Sequence, residues 1–144
     1  MMERRDMNSA GNGTISALFL VGATATGKTA VAQHIAESRG YSILSADSML
    51  IYRGMNIGTA KPTLSERSRV NYYGLDLVDP DETFNVWQYR KYALSVLSRD
   101  TTFMVVGGSG LYIKSLTHGI TDAGEASPAA RAVFEALFQE KGKT

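Results

Sequence analysis

The chain has 144 residues, 44% of them hydrophobic and 20% charged, which is the composition of a globular protein with apolar mass for one modest core. A formal net charge of +1 is too small to coat nucleic acid by bulk electrostatics, so any such contact must come from a local patch. The absence of cysteine excludes disulfide frameworks, thiol catalysis and cysteine zinc sites together.

Met1 to Gly13 has no apolar centre of the kind a secretory signal needs and reads as part of a flexible leader over residues 1–14, followed by one domain over 15–144. No run approaches the length of a membrane span, and the expectation is a cytoplasmic monomer with no membrane partner. Ile15 to Val21 is a short apolar run ending at glycine, the pattern of a buried strand. After a glycine-rich turn, Ala30 to Arg39 has helical spacing, with Val31, Ile35 and Ala32 as its inward residues and Gly40 as its C-terminal cap. Tyr41 to Ala46 is a second strand that delivers Asp47 at its C-terminal end. Strand, loop, helix and strand make one right-handed βαβ unit with parallel strands.

Asp47 to Pro62 reads as loop, broken by Gly54, Gly58 and Pro62. A short helix over Thr63 to Val70 is expected, capped by Thr63 or Ser65 with Glu66 in its first turn. Tyr73 to Val78 suggests a small strand, and Asp79-Pro80-Asp81-Glu82 a turn. Asn85 to Ser98 sets Val86, Tyr89, Ala93, Val96 and Leu97 on one helical face. A third parallel strand over Thr101 to Val106 ends in Gly107-Gly108-Ser109-Gly110 and is followed by helices at Leu111 to Thr117 and Ala126 to Phe138, the last with Pro128 in its first turn. Trp87, Tyr89 and Tyr92 read as packing residues rather than base-stacking platforms, and His34 and His118 lack metal-ligand spacing.

The glycine-rich turn is Gly22-Ala23-Thr24-Ala25-Thr26-Gly27-Lys28-Thr29, a P-loop between strand and helix. Backbone N–H groups of such a turn converge on one spot, and the helix N-terminus adds its positive dipole end, so phosphate oxygens find donors in place. Lys28 brings a mobile positive charge for terminal phosphates, and the Thr29 hydroxyl suits a Mg²⁺ ligand. The fold class is therefore α/β, a P-loop NTPase-like open parallel sheet flanked by helices. Three main strands are fewer than such sheets usually carry, so an N-terminal part of a larger core is expected.

A nucleotide-hydrolysing P-loop usually has a partner strand ending in an acid that holds Mg²⁺. The strand before Gly107 ends in glycines instead, whereas Ile43-Leu44-Ser45-Ala46-Asp47 ends in a carboxylate followed by a loop able to receive a second substrate. That favours group transfer over a motor or switch. Asp47 can serve there as a general base, as a Mg²⁺ ligand or as the cap of the next turn. The stretch from Arg53 to Arg69 carries Arg53, Lys61, Arg67 and Arg69 against Glu66, a local +3 that reads either as a phosphate-binding patch or as a solvated face.

The P-loop, the segment Asp47-Ser48-Met49-Leu50 through Pro62, and Gly107 to Tyr112 resemble, in order and spacing from about Leu18 to Phe138, the tRNA dimethylallyltransferase family, also called tRNA isopentenyltransferases. The resemblance implies transfer of a dimethylallyl group from dimethylallyl diphosphate to N6 of an adenine next to the anticodon in tRNA. Asp47 matches the family's base, and the P-loop would hold the leaving diphosphate with Mg²⁺ near Thr29. Contacts to the tRNA anticodon stem-loop would fall on Asp47, Ser48, Met49, Leu50, Ser109 (threonine in most members) and Arg131, with the target adenine flipped from its stack. Members run to about twice this length and add a helical domain and a further basic residue for the diphosphate. Paired histidines are usual where this chain has Asn71-Tyr72-Tyr73-Gly74. A P-loop small-molecule or nucleotide kinase, and an inactive truncated remnant that binds phosphate or RNA, are the alternative readings.

Overall fold

The computed structural model describes residues 1–8, 14–56, 58, 60–99, 102–120 and 128–141. Ten elements follow in order: β1 (Met2–Asn8), β2 (Thr14–Val21), α1 (Lys28–Arg39), β3 (Ser42–Ser45), α2 (Leu64–Arg69), β4 (Tyr72–Tyr73), α3 (Val86–Leu97), β5 (Phe103–Gly107), α4 (Gly110–His118) and α5 (Pro128–Lys141). The sheet order is β1-β2-β5-β3-β4. Strands β2, β5, β3 and β4 run parallel, and β1 lies antiparallel on the outer edge of β2. The expected α/β architecture is present, with helices on both faces of a parallel sheet.

Strands β2 and β3 are parallel, as the βαβ reading required, but β5 lies between them. The C-terminal ends of β2, β5 and β3 therefore open side by side, and in open α/β sheets that edge is where ligands bind. Alternation divides the strand residues between two cores. Ile43, Met104 and Val106 meet Ala32 and Ala36 of α1 on one face. Leu44, Phe103 and Val105 meet Tyr89, Ala93, Val96 and Leu116 of α3 and α4 on the other.

Two expectations need correction. The leader is not free along its length: Met2 to Asn8 pair continuously with β2 from Leu20 to Thr14. The Met1 amino group also donates to the Val21 carbonyl at 2.9 Å, and Val21 N–H returns a bond to Met1 O at 3.0 Å. A polar strand can cover an open edge through backbone bonds alone, which a hydropathy pattern does not reveal. Residues 9–13 of that leader lie outside the described residues, as do Thr101, Ala126 and Ser127 of two expected elements. In α1 the inward face is Ala32, Gln33 and Ala36 with Ile35 packed beside them, so of the three expected residues Val31 turns outward, 48% exposed. Alanines four residues apart let the helix axis lie close to the sheet, and valine one position away turns outward.

The remaining elements match closely. Gly40 caps α1 in the left-handed region at φ 66°. Thr63 caps α2 through a reciprocal box with Glu66, and Asn85 caps α3 in the same way with Gln88. The small strand expected over 73–78 is regular only at Tyr72–Tyr73, with Val78 bridging to Tyr52. Glu82 accepts from Asp79 N–H at 2.6 Å, closing the expected turn. Tyr89 is fully buried and Tyr92 half-buried, whereas Trp87 is exposed with the Lys91 ammonium 5.5 Å over its ring. His34 and His118 are exposed. No helix among the described residues is long and apolar enough to cross a membrane.

Candidate active site

The P-loop bridges β2 and α1 through two left-handed residues, Ala25 at φ 64° and Gly27 at φ 79°. Glycine adopts this conformation freely, but at Ala25 it costs about 1 kcal/mol or more, strain of the kind concentrated at ligand-binding loops. Thr26 Oγ1 donates to Ala23 O at 2.8 Å and braces the turn from inside. The Lys28 ammonium folds back over the loop, donating to the Ala23 carbonyl and lying 3.5 Å from Thr26 Oγ1. Val31 N–H is the first to bond back into the helix, at 3.2 Å to Gly27 O. The N–H groups of Lys28, Thr29 and Ala30, having no earlier helical carbonyl to reach, are left for an anion.

Next to the loop, β3 and β5 approach unusually closely at their ends. Ala46 N–H donates to Val106 O at 2.8 Å, and Ser109 N–H donates to Ala46 O at 3.1 Å. A Cβ on Gly107 would lie 2.2 Å from Ala46 O and 2.4 Å from Ala46 C. No side chain fits there, which is a physical reason for β5 to end in glycine rather than in an acid. Asp47 Oδ1 accepts from Met49 N–H at 2.9 Å, so the carboxylate does cap the following turn. Oδ2 has no hydrogen-bond partner among the described residues.

Of the residues matched to RNA contacts, the structure brings Asp47, Ser48 and Ser109 together. Ser109 Oγ accepts from Ser48 N–H at 2.9 Å and lies 3.3 Å from Ser48 Oγ. Met49 is 46% exposed beside them, and Leu50 turns into the cavity wall. Arg131 belongs to α5, but its side chain lies outside the described residues.

One cavity of about 440 Å³ joins these parts. Thr24 to Ala30 form one end, the strand ends at Ser45, Asp47 and Val106 to Gly108 form the floor, and Leu50, Pro62 and Leu75 give apolar walls. Thr29, Ser45 and Asp47 are among the oxygen-bearing side chains that line it. Ser45 is 4% exposed, and its Oγ has no hydrogen-bond partner. An unsatisfied buried hydroxyl costs about 1–3 kcal/mol. No group of three or more His, Cys, Asp or Glu side chains able to hold a metal occurs among the described residues. A protein-only metal cage is thus absent there, and the donor set suits a hard cation such as Mg²⁺, which keeps waters and takes phosphate oxygens beside one or two protein ligands.

The cations from Arg53 to Arg69 are all paired with acids, with Arg53 and Arg69 solvated as one reading expected and Lys61 and Arg67 drawn inward. Arg53 pairs with Asp79 at 3.2 Å, Lys61 with Asp76 at 2.8 Å, Arg67 with Asp76 at 2.7 Å and Arg69 with Glu37 at 3.1 Å. A count within one segment missed these acids because they arrive from other parts of the chain. Lys61 is the extreme case: its side chain is 2% exposed and donates to both Tyr52 O and Asp76 Oδ1. Burial alone would raise the Asp76 carboxyl, but the hydrogen bonds from Lys61 and Arg67 outweigh it and hold the group below its ordinary range. The loop from Asp47 to Pro62 is thereby anchored to the segment that ends at Asp76.

A second network, invisible in the sequence pattern, fixes α1 to α2 and β4. Gln33 donates to Glu37 Oε1 at 2.7 Å and to Glu66 O at 3.1 Å, and its Oε1 accepts from the Tyr72 hydroxyl. Burial, then the nearby Glu66 and Glu37, push the Tyr72 hydroxyl up to about 12, so it remains a donor at neutral pH. On the opposite face Tyr112 stacks on Tyr89 with centroids 3.9 Å apart, and the Tyr89 hydroxyl donates to Ser45 O at 3.0 Å. Burial, followed by Tyr52 and Asp47, raises Tyr112 to about 12.

Comparison with known proteins gives two family matches, IPP transferase over residues 50–144 and Isopentenyl transferase over residues 15–76. Among curated proteins, the tRNA dimethylallyltransferase of Pelotomaculum thermopropionicum is 49% identical over 74% of this chain and 35% of its own length. That of Methylacidiphilum infernorum is 44% identical over 83% of this chain and 37% of its own. The full-length tRNA isopentenylpyrophosphate transferase of Bacillus halodurans superposes with a TM-score of 0.68 at 34% identity, covering 86% of this chain and 43% of that one. The chain thus spans well under half the length of the relatives it matches. Continuous likeness across both matched segments, on the same fold, means that the chain belongs to the IPP transferase family.

Proposed function

We propose that this chain forms the donor-binding and proton-accepting part of a tRNA dimethylallyltransferase, which moves a dimethylallyl group from its diphosphate to N6 of an adenine beside the anticodon. The observation that carries this reading is the placement of Asp47. Its carboxylate shares one cavity with the P-loop, and Gly107 leaves no room for an acid in the position a nucleotide-hydrolysing P-loop uses.

In the reaction, N6 of the adenine forms a bond to the first carbon of the prenyl group as the bond from that carbon to the diphosphate oxygen breaks. The electron pair leaves with the diphosphate, and the N6 proton passes to Asp47. An exocyclic amine conjugated with a purine is a weak nucleophile, so a positioned base is needed. Asp47 Oδ1 is held by Met49 N–H, which leaves Oδ2 to take the proton. The free N–H groups at the start of α1 and the Lys28 ammonium stabilise the charge that develops on the diphosphate. Thr29 would hold a Mg²⁺ ion beside the phosphate oxygens, which when bound draws charge from the departing diphosphate. Ser48 and Ser109, hydrogen-bonded to each other next to Asp47, would meet the RNA together with Met49, a role supported by the exposure of Ser48 and Met49 and by the match to the family.

The test is prenyl transfer to an anticodon stem-loop, read by mass spectrometry of the adenine, with dimethylallyl diphosphate, Mg²⁺ and the full-length reading frame that carries this chain. Asp47→Ala should abolish transfer while retaining diphosphate binding. Undiminished turnover by that variant would refute Asp47 as the base.

A further inference from the structure

Ser45 occupies a position that packing alone would give to an apolar residue. All four residues of β3 are buried, and on the face shared by Ile43 and Ser45 the neighbours are apolar. Ser45 nevertheless lines the cavity that contains the P-loop and Asp47, and its hydroxyl is buried beneath that wall with no hydrogen-bond partner. Its backbone is fixed on three sides. The carbonyl accepts from the Tyr89 hydroxyl at 3.0 Å, a Cβ on Gly74 would lie 2.8 Å from that carbonyl, and the next residue, Ala46, is bonded to Val106 O. With the backbone held, rotation about the Cα–Cβ bond is the movement that would turn the buried hydroxyl toward a ligand in the cavity.

We propose that Ser45 is a ligand-binding residue whose Oγ–H donates to a phosphate oxygen of the diphosphate held by the P-loop. Ser45 and the first residues of α1 line the same cavity, so the contact would come from the strand side of it. A buried hydroxyl with no partner in the free chain is satisfied only when an acceptor enters, so its desolvation is already met before binding and the whole hydrogen bond counts toward affinity. The inference rests on the diphosphate reading of the P-loop.

The experiment is calorimetric titration of the 144-residue chain with inorganic diphosphate in the presence of Mg²⁺, for the unmodified chain, Ser45→Ala, Ser45→Cys and Lys28→Ala, with thermal midpoints of each free chain. Removing a hydrogen bond to a charged acceptor should weaken binding about tenfold or more in Ser45→Ala. Ser45→Cys, close in volume but a weak donor, should fall with it. The midpoint of free Ser45→Ala should stay level or rise, because no bond is lost in the absence of ligand. Binding by Ser45→Ala within about twofold of the unmodified chain overturns the assignment, a difference below the worth of any charge-assisted bond. A fall in affinity that Ser45→Cys restores, together with a lowered midpoint for free Ser45→Ala, would mean packing and also overturns it. If the unmodified chain and Lys28→Ala are alike in ignoring diphosphate, the P-loop reading itself fails, and the Ser45 assignment with it.

Discussion

Gly107→Ala tests whether the close approach of β3 and β5 is what fixes the site. The added Cβ meets backbone atoms of Ala46 at 2.2, 2.4 and 2.9 Å, where real Cβ contacts do not occur. Backbone cannot swing aside as a side-chain end can, so the strands must part. Parting them endangers two hydrogen bonds, Ala46 N–H to Val106 O and Ser109 N–H to Ala46 O. At about 1 kcal/mol net for each bond and about 1–3 kcal/mol for overpacking, the loss comes to about 3–5 kcal/mol. For a chain of this size that corresponds to a fall in melting temperature of about 10–20 °C. Thermal melting followed by circular dichroism measures it, with Gly110→Ala as a control. A Cβ at Gly110 meets nothing within 4 Å and sits at the start of α4, so that variant should melt level with the unmodified chain or slightly above it. If Gly107→Ala melted within about 3 °C of the unmodified chain, a shift worth about 1 kcal/mol, the account of why β5 carries no acid would be wrong.

Lys28→Ala should weaken diphosphate binding by about tenfold to a hundredfold, the range for a lost charge-assisted bond, in the same calorimetric titration. Asp76→Asn should destabilise the chain by about 2–3 kcal/mol in urea unfolding, because it strips the carboxylate from Lys61, which is buried, and from Arg67. The folded Asp76 lies below 3.8, so its contribution is full above that pH and is lost as pH falls further; stability of Asp76→Asn should therefore decline less than that of the unmodified chain below pH 3.8. Thr63→Ala removes the acceptor for Glu66 N–H and should cost about 1 kcal/mol, with increased amide exchange confined to α2 as the reading.

The P-loop, the helix caps and Asp47 were legible because each is written in a few adjacent residues. Thr63 with Glu66, and Gly40 after Arg39, obey local chemistry that tertiary structure leaves intact. What required coordinates was everything decided between distant segments. That β5 lies between β2 and β3 is a matter of sheet order, on which local pattern is silent. The pairing of β1 uses backbone groups common to every sequence. Val31 and Ala32 are adjacent and both apolar, and only the closeness of the sheet decides that the smaller one turns inward. The four cations from Arg53 to Arg69 looked available because Glu37, Asp76 and Asp79 lie outside the segment that was counted. Ser45 did leave a signal, a hydroxyl inside an apolar strand, but its lack of a partner is a three-dimensional fact.

Asp76 closes the loop that begins at Asp47, gripping Lys61 with one oxygen and Arg67 with the other. Such a loop resists change unevenly. Its length enters stability only through closure entropy, where doubling the loop adds about 0.6 kcal/mol, so insertions around Gly54 and Gly58 are cheap. The clasp is different, because Lys61 and Arg67 share one carboxylate, and its loss leaves Lys61 with Tyr52 O and Arg67 with Pro62 O, both within their own stretch of chain. Sequence length between the site and its fastening can therefore drift, while the carboxylate that both cations share cannot be exchanged for a neutral group without loosening both.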